Sequence, residues 1–132
     1  SDATLNPGGV RIGTAEIYNT VEKLKEVLES LVIAQNWNND VRIVLFLKLH
    51  NDLQLTQQLK EKVVSQIKIN LTARHVPAKV IAVPDIPRTR SGKITEIAVR
   101  DIVHGKEIKN KEALANPEAL VYFANIPDLD VD

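Results

Sequence analysis

The sequence predicts an α+β domain: a small three-stranded sheet with an antiparallel hairpin, flanked by helices and followed by a helical C-terminal tail. Three observations carry this. Residues 31–37 and 41–49 are apolar runs separated only by Asn38-Asn39-Asp40, the spacing of an antiparallel hairpin. Two stretches repeat apolar residues at helical intervals, Ile17, Val21, Leu24 and Leu28 in one and Leu55, Leu59, Val63, Ile67 and Leu71 in the other. A third strand-like run, residues 79–83, follows Arg74-His75-Val76-Pro77. At 132 residues, 44% apolar and 26% charged, the chain reads as one domain, 1–132, with a modest core.

Taken in order, residues 5–13 are rich in turn signals, Asn6-Pro7 and Gly8-Gly9, with Val10 to Ile12 a possible short strand in a simple edge hairpin. Thr14 is placed to cap the first helix, with Glu16 in its first turn. The run 41–49 is almost wholly apolar, which predicts a central strand covered on both faces. His50-Asn51-Asp52 is a turn. Lys68 falls in the last turn of the second helix, where the helix dipole favours a cation. His75 has no second histidine near it and reads as structural or exposed. Ile94, Ile97, Ile102 and Val103 predict a short helix ending at Gly105. In the tail, 106–132, Asn116-Pro117-Glu118 has the form of a capped helix start, leading into a short helix over 119–123.

Composition excludes several classes. Seventeen basic residues balance seventeen acidic ones, so the excess positive charge of a dedicated nucleic-acid binder is missing. Without cysteine there is no disulfide, thiolate metal site or cysteine nucleophile, as suits a reducing compartment, and no metal site is expected. No apolar run reaches the about 18 residues of a membrane span. Ser1-Asp2-Ala3-Thr4 lacks the features of a signal peptide. We therefore expect a cytoplasmic chain with neither nucleic acid nor membrane as partner.

The residues richest in chemistry are Pro87-Arg88-Thr89-Arg90-Ser91-Gly92-Lys93-Ile94. Pro87 lacks an N–H and ends the preceding strand. Gly92 opens backbone conformations closed to other residues. The stretch reads as an exposed loop presenting Lys93, whose long stem can carry a point charge to a phosphate or carboxylate. On local signals alone, solvated basic surface is the commoner reading. A phosphate-binding P-loop is excluded, because Pro87 stands where its first glycine belongs and Ile94 where it needs Ser or Thr.

The run Pro87-Arg88-Thr89-Arg90-Ser91-Gly92-Lys93 resembles the lysine loop near the C-terminus of adenylate-forming enzymes, the acyl-CoA synthetases and their relatives, where proline, a variable residue, threonine, a variable residue and Ser-Gly-Lys recur. The resemblance covers nearly the whole chain. Residues 2–17, from Asp2 through Gly9, Arg11 and Gly13-Thr14-Ala15-Glu16-Ile17, are similar to that family's hinge and crossover loop. Ile97-Ala98-Val99-Arg100 through His104-Gly105, and Ala113-Leu114-Ala115-Asn116-Pro117-Glu118-Ala119-Leu120, are similar to its acetoacetyl-CoA synthetase branch. Two positions depart: Ala3 stands where a second aspartate is common, and Lys68 where an arginine often touches CoA phosphate.

The resemblance implies a small C-terminal domain, 1–132, of a larger acid–thiol ligase, with 1–13 its hinge and crossover loop. ATP and CoA would be substrates, with magnesium held in the large domain. A carboxylate would attack the α-phosphate of ATP, and the CoA thiol would then attack the acyl-adenylate, the small domain rotating between the steps. Lys93 would serve adenylation by lowering the cost of bringing two anions together. Gly9 and Arg11, with Lys68, would serve the CoA step, and Asp2 would be the pivot. The chain opens at the hinge, so we expect a fragment that is inactive alone. Its partners would be the large domain of the same chain and, at Lys93, a lysine acetyltransferase. Two alternatives stay open: a non-catalytic module holding an anion with Arg88, Arg90 and Lys93, and a ligase of the same superfamily for another short acid.

Overall fold

The computed structural model describes residues 4–92 and 95–132. Its centre is a three-stranded sheet of β3 (Val27–Trp37), β4 (Asp40–Leu49) and β5 (Lys79–Ala82), in that spatial order. β3 and β4 form an antiparallel hairpin, and β5 lies parallel to β4 with Val44 opposite Lys79. A separate two-stranded ribbon pairs β1 (Thr4–Leu5) with β2 (Ile12–Gly13). Three α-helices occur among the described residues: α1 (Thr14–Val21), α2 (Gln57–Asn70) and α3 (Glu96–Val103).

The α+β expectation holds, and the central, doubly covered β4 with it. Ile43, Leu45, Leu47 and Leu49 pack on one face with Ile17 and Val21 of α1 and Leu59, Val63 and Ile67 of α2. Val44 and Phe46 pack on the other with Val99 of α3 and with Ile86, Phe123 and Leu129. The rings of Phe46 and Phe123 meet edge to face, 4.8 Å between centroids. The tail thus completes the second core. It also straps the hairpin turn: Gln35 Nε2 donates to the Leu129 carbonyl, and Trp37 Nε1 donates to Asp132 Oδ1. Arg42 stacks over Trp37, 3.7 Å from the ring centroid.

Several local expectations need correction. The first helix stops at Val21, and Leu28, expected on its apolar stripe, is an exposed residue of β3. The strand begins at Val27, and a bulge between Val27 and Glu29 inserts one residue against β4. That bulge breaks the period of two and puts Val27 and Val32 on one face although their spacing is odd. The hairpin connection is two residues rather than three: Asn38 and Asn39 both have positive φ, the geometry of a type I′ turn, and Asp40 already pairs with Trp37. Thr14 is buried inside α1, while Gly13 holds the cap position. The first short strand is Ile12–Gly13, paired with Thr4–Leu5, rather than Val10 to Ile12. In α3 the inward residue is Val99, and Ile97 faces out at 67% exposure. Gly105, at φ 77°, does end α3 as expected: the Lys106 N–H reaches the Asp101 carbonyl and the Gly105 N–H that of Ile102, a Schellman closure.

Candidate functional site

Residues after β5 turn back over the far end of the hairpin, opposite its turn. Beyond the bulge, Glu29 and Lys48 pair across β3 and β4 on the face that carries Phe46. Arg88 Nη2 donates to Glu29, and Lys48 Nζ reaches Asp85 Oδ1 at 2.9 Å and Glu29 Oε1 at 3.7 Å. Four charges of alternating sign therefore seat the base of the Pro87 loop. Thr95 Oγ1 donates to the Pro87 carbonyl at 3.1 Å and closes the neck of the loop. Between these anchors, the Gly92 N–H reaches the Thr89 carbonyl at 2.8 Å, with Gly92 at φ 87°. A side chain there would be strained, which is why the turn takes glycine. Lys93 itself lies outside the described residues, as do Asp2 and Ala3.

The tail runs beside this loop. Thr89 bridges antiparallel to Leu114, the Arg90 N–H donates to the Ala113 carbonyl, and the Ala115 N–H donates to that of Arg88. Arg90 Nε donates to the Glu112 carbonyl at 2.9 Å. Asn116 was expected to cap a helix with its side chain. Residues Pro117–Phe123 instead form a 3₁₀ helix without that bond, and the Asn116 side chain turns into the loop. It is buried, accepts from the Arg88 N–H and donates to Asp85 Oδ2 and the Ile86 carbonyl, each at 2.9 Å. Glu29, Asp85 and Asn116 were not legible as site residues. The bulge hides the face of Glu29, and the Asn-Pro pair carries a stronger helix-start signal.

Electrostatics follow this geometry. A hydrogen bond from Arg88 to Glu29 raises the arginine pKa, outweighing burial. Burial alone would push the Asp85 carboxyl up, but hydrogen bonds from Asn116, Lys48 and the Ile86 N–H hold it below the usual carboxylate range. Because its folded pKa is depressed, Asp85 stabilises the fold fully above its ordinary value near 4, and this is lost as pH falls through the lowered value. We expect the melting temperature to fall as pH drops from about 5 to 3, and to fall less over that interval in Asp85→Asn. Equal acid sensitivity of the two proteins, followed by circular dichroism, contradicts this account.

Both arginines of the loop are therefore engaged inside the domain, Arg88 with Glu29 and Arg90 with the tail. A polyanion clamp built from Arg88, Arg90 and Lys93 thereby loses Arg88, whose charge Glu29 offsets, while exposed Arg90 gives only its Nε–H to a neutral carbonyl. Thr89, Gly92 and Thr95 instead line one side of an open groove of about 1460 Å³, with Thr14, Ala15 and Tyr18 of α1 and Glu96 and Ile97 of α3 also bordering it.

The loop at Pro7–Gly9 sits at the other end of the hairpin. Its Gly8 N–H donates to Asp40 Oδ2 at 3.0 Å, beside the Asn38-Asn39 turn. Gly8 and Gly9 have φ of 61° and 80°, and a Cβ on either would meet no atom within 4 Å, so the loop's outer side is open. Arg11 is exposed just beyond it. From Glu29 to Trp37 is eight residues of strand, about 25 Å at the usual rise. The loop leading to Lys93 and the loop carrying Gly9 thus lie at opposite ends of one rigid hairpin. Lys68 stands exposed on the last turn of α2 and has no hydrogen bond or ion pair to Gly9 or Arg11 among the described residues. His75 is structural, joined to Thr72 and to Glu16 of α1.

The model of the AMP-binding enzyme C-terminal domain matches residues 16–93, from the start of α1 to the lysine that closes the Ser-Gly-Lys run. The chain belongs to this family. The chain is also similar to acetoacetyl-coenzyme A synthetase of Rhizobium meliloti (strain 1021), 62% identical over 98% of this chain and 20% of that protein. Among solved structures, acetoacetyl-CoA synthetase from Streptomyces lividans superposes with a TM-score of 0.83 at 36% identity, over 92% of this chain and 18% of that one. An acyl-CoA synthetase from Brucella canis gives 0.70 at 25% identity, over 75% of this chain and 18% of that one. This member of the AMP-binding C-terminal family therefore spans about a fifth of the curated relatives it matches. Residues 95–132, with the tail that grips the loop, lie outside the family match. No helix among the described residues is long and apolar enough to cross a membrane.

Proposed function

We propose that this chain is the mobile C-terminal domain of a cytoplasmic ATP-dependent acid–CoA ligase whose acid is acetoacetate. One observation carries the proposal: 62% identity to an acetoacetyl-coenzyme A synthetase runs through 98% of the chain, tail included. The placement of the two functional loops at opposite ends of the hairpin supports a domain that offers one end in each half-reaction. In the first, a carboxylate oxygen bonds to the α-phosphorus of ATP and pyrophosphate leaves. Lys93 lowers the repulsion between the two anions. In the second, the CoA sulfur bonds to the acyl carbon, AMP leaves and the thiol proton is released. Gly9 keeps the backbone clear of the thiol's path, while Arg11 and Lys68 offer charge to CoA phosphates. Lys68 does so as a point charge without an arginine's fork. Asp2 is the pivot. Magnesium and the acyl pocket belong to the large domain, the partner of this one.

The test uses the longer protein that contains this chain. With ATP and CoA it should form AMP and a thioester from acetoacetate faster than from acetate, propionate or butyrate. A preference for one of those acids would leave the ligase reading in place and overturn the choice of acid. Absence of adenylation with every acid overturns the ligase reading.

A further inference from the structure

We propose that Asn116 is a positioning residue for adenylation, and that the tail segment 112–116 is the template on which the loop leading to Lys93 is held. The inference rests on the role given to Lys93 above. Three observations support it. The Asn116 side chain uses both of its ends: its carbonyl accepts from the Arg88 N–H, and its amide donates to the Ile86 carbonyl and to Asp85. These bonds fall on both sides of Pro87, the residue at which the strand stops and the loop begins. The backbone from Arg88 to Arg90 then zips to residues 113–115 through the two hydrogen bonds that form the Thr89–Leu114 bridge, and Arg90 adds a side-chain bond to the Glu112 carbonyl.

A loop held only by its neck would keep many backbone conformations, each placing the following lysine differently. Pairing one flank with a second strand removes most of that freedom before substrate arrives, which is the preorganisation a charge-stabilising group needs. The template is itself anchored, because Phe123 and Leu129 are buried in the core under the sheet. Asn116 is buried with every polar atom satisfied, so its loss leaves Asp85 and the Arg88 N–H short of a partner rather than merely trimming a surface contact.

A double-mutant cycle in the longer protein tests this, using ATP–pyrophosphate exchange for the first half-reaction and thioester formation from supplied acyl-adenylate for the second. Asn116→Ala, which removes the bonds to Arg88, Asp85 and Ile86 together, should slow exchange about tenfold. It should leave thioester formation unchanged. Because Asn116 acts through Lys93, the double variant with Lys93→Ala should be no slower in exchange than Lys93→Ala alone. Should Asn116→Ala fold poorly, Asn116→Ser, which keeps a small hydrogen-bonding side chain and sets no second carboxylate against Asp85, enters the same cycle. Equal losses in the two half-reactions, additive losses in exchange, or no loss at all overturn the proposal. If Lys93→Ala alone leaves exchange intact, it is the underlying role of the lysine that fails.

Discussion

Lys93→Ala in the longer protein should lower ATP–pyrophosphate exchange by roughly two to three decades, the loss of about 3–4 kcal/mol that follows removal of one preorganised stabilising group. The same variant, supplied with synthetic acyl-adenylate, should still form thioester. Carboxylate and triphosphate repel, and a cation between them matters only while both anions are present. Once the adenylate exists, the incoming nucleophile is a thiol and the leaving group is AMP, so on the proposed reading Lys93 has no second anion to offset. Arg88 does not replace it, since its charge is paired with Glu29. Acetylating Lys93 removes the same charge and should copy both results. Mass spectrometry after incubation with an acetyltransferase and acetyl-CoA, followed by the same two assays, checks this. A mutant that loses both half-reactions equally contradicts a lysine acting in adenylation alone.

The architecture was legible wherever periodicity was clean. The doubly covered β4 and the stripe of α2 both appear in the structure as read, β4 with apolar side chains in both cores and α2 with one buried stripe. The reading failed where a local device interrupts the period. The bulge at Val27/Glu29 turned a strand start into an apparent helical turn, and it concealed that Glu29 faces the loop. The tail failed for another reason. Asn116 carries a strong local helix-start signal, yet its side chain is claimed by a partner 28 residues away. Tertiary hydrogen bonds of that span leave no pattern in a single sequence. The Ser-Gly-Lys run was visible as a motif, while what holds it in place was not.

Gly9→Leu should produce the reverse of Lys93→Ala: exchange survives and thioester formation slows by roughly one to two decades. Two effects need separating. Gly9 sits at φ 80°, where a leucine is strained by on the order of 1–3 kcal/mol. Inside the domain there is otherwise room, because a Cβ at Gly9 meets nothing within 4 Å. Obstruction must therefore come from what approaches the loop from outside, which on the proposed reading is the pantetheine arm of CoA. Filling that path costs about 1–3 kcal/mol more, one to two decades in the second half-reaction. Gly9→Asn is the control, since asparagine tolerates positive φ far better than leucine and projects a shorter side chain. It should slow thioester formation less than Gly9→Leu and leave exchange at the wild-type rate. The Gly8 N–H to Asp40 bond ties this loop to the hairpin turn, about 25 Å of strand from Glu29, which seats the base of the Pro87 loop. If Gly9→Leu and Lys93→Ala, both shown to be folded, each abolish both half-reactions, the two loops serve one fixed site and the rotating domain is wrong. If each abolishes only its own, the hairpin is the rigid rod that carries two active ends.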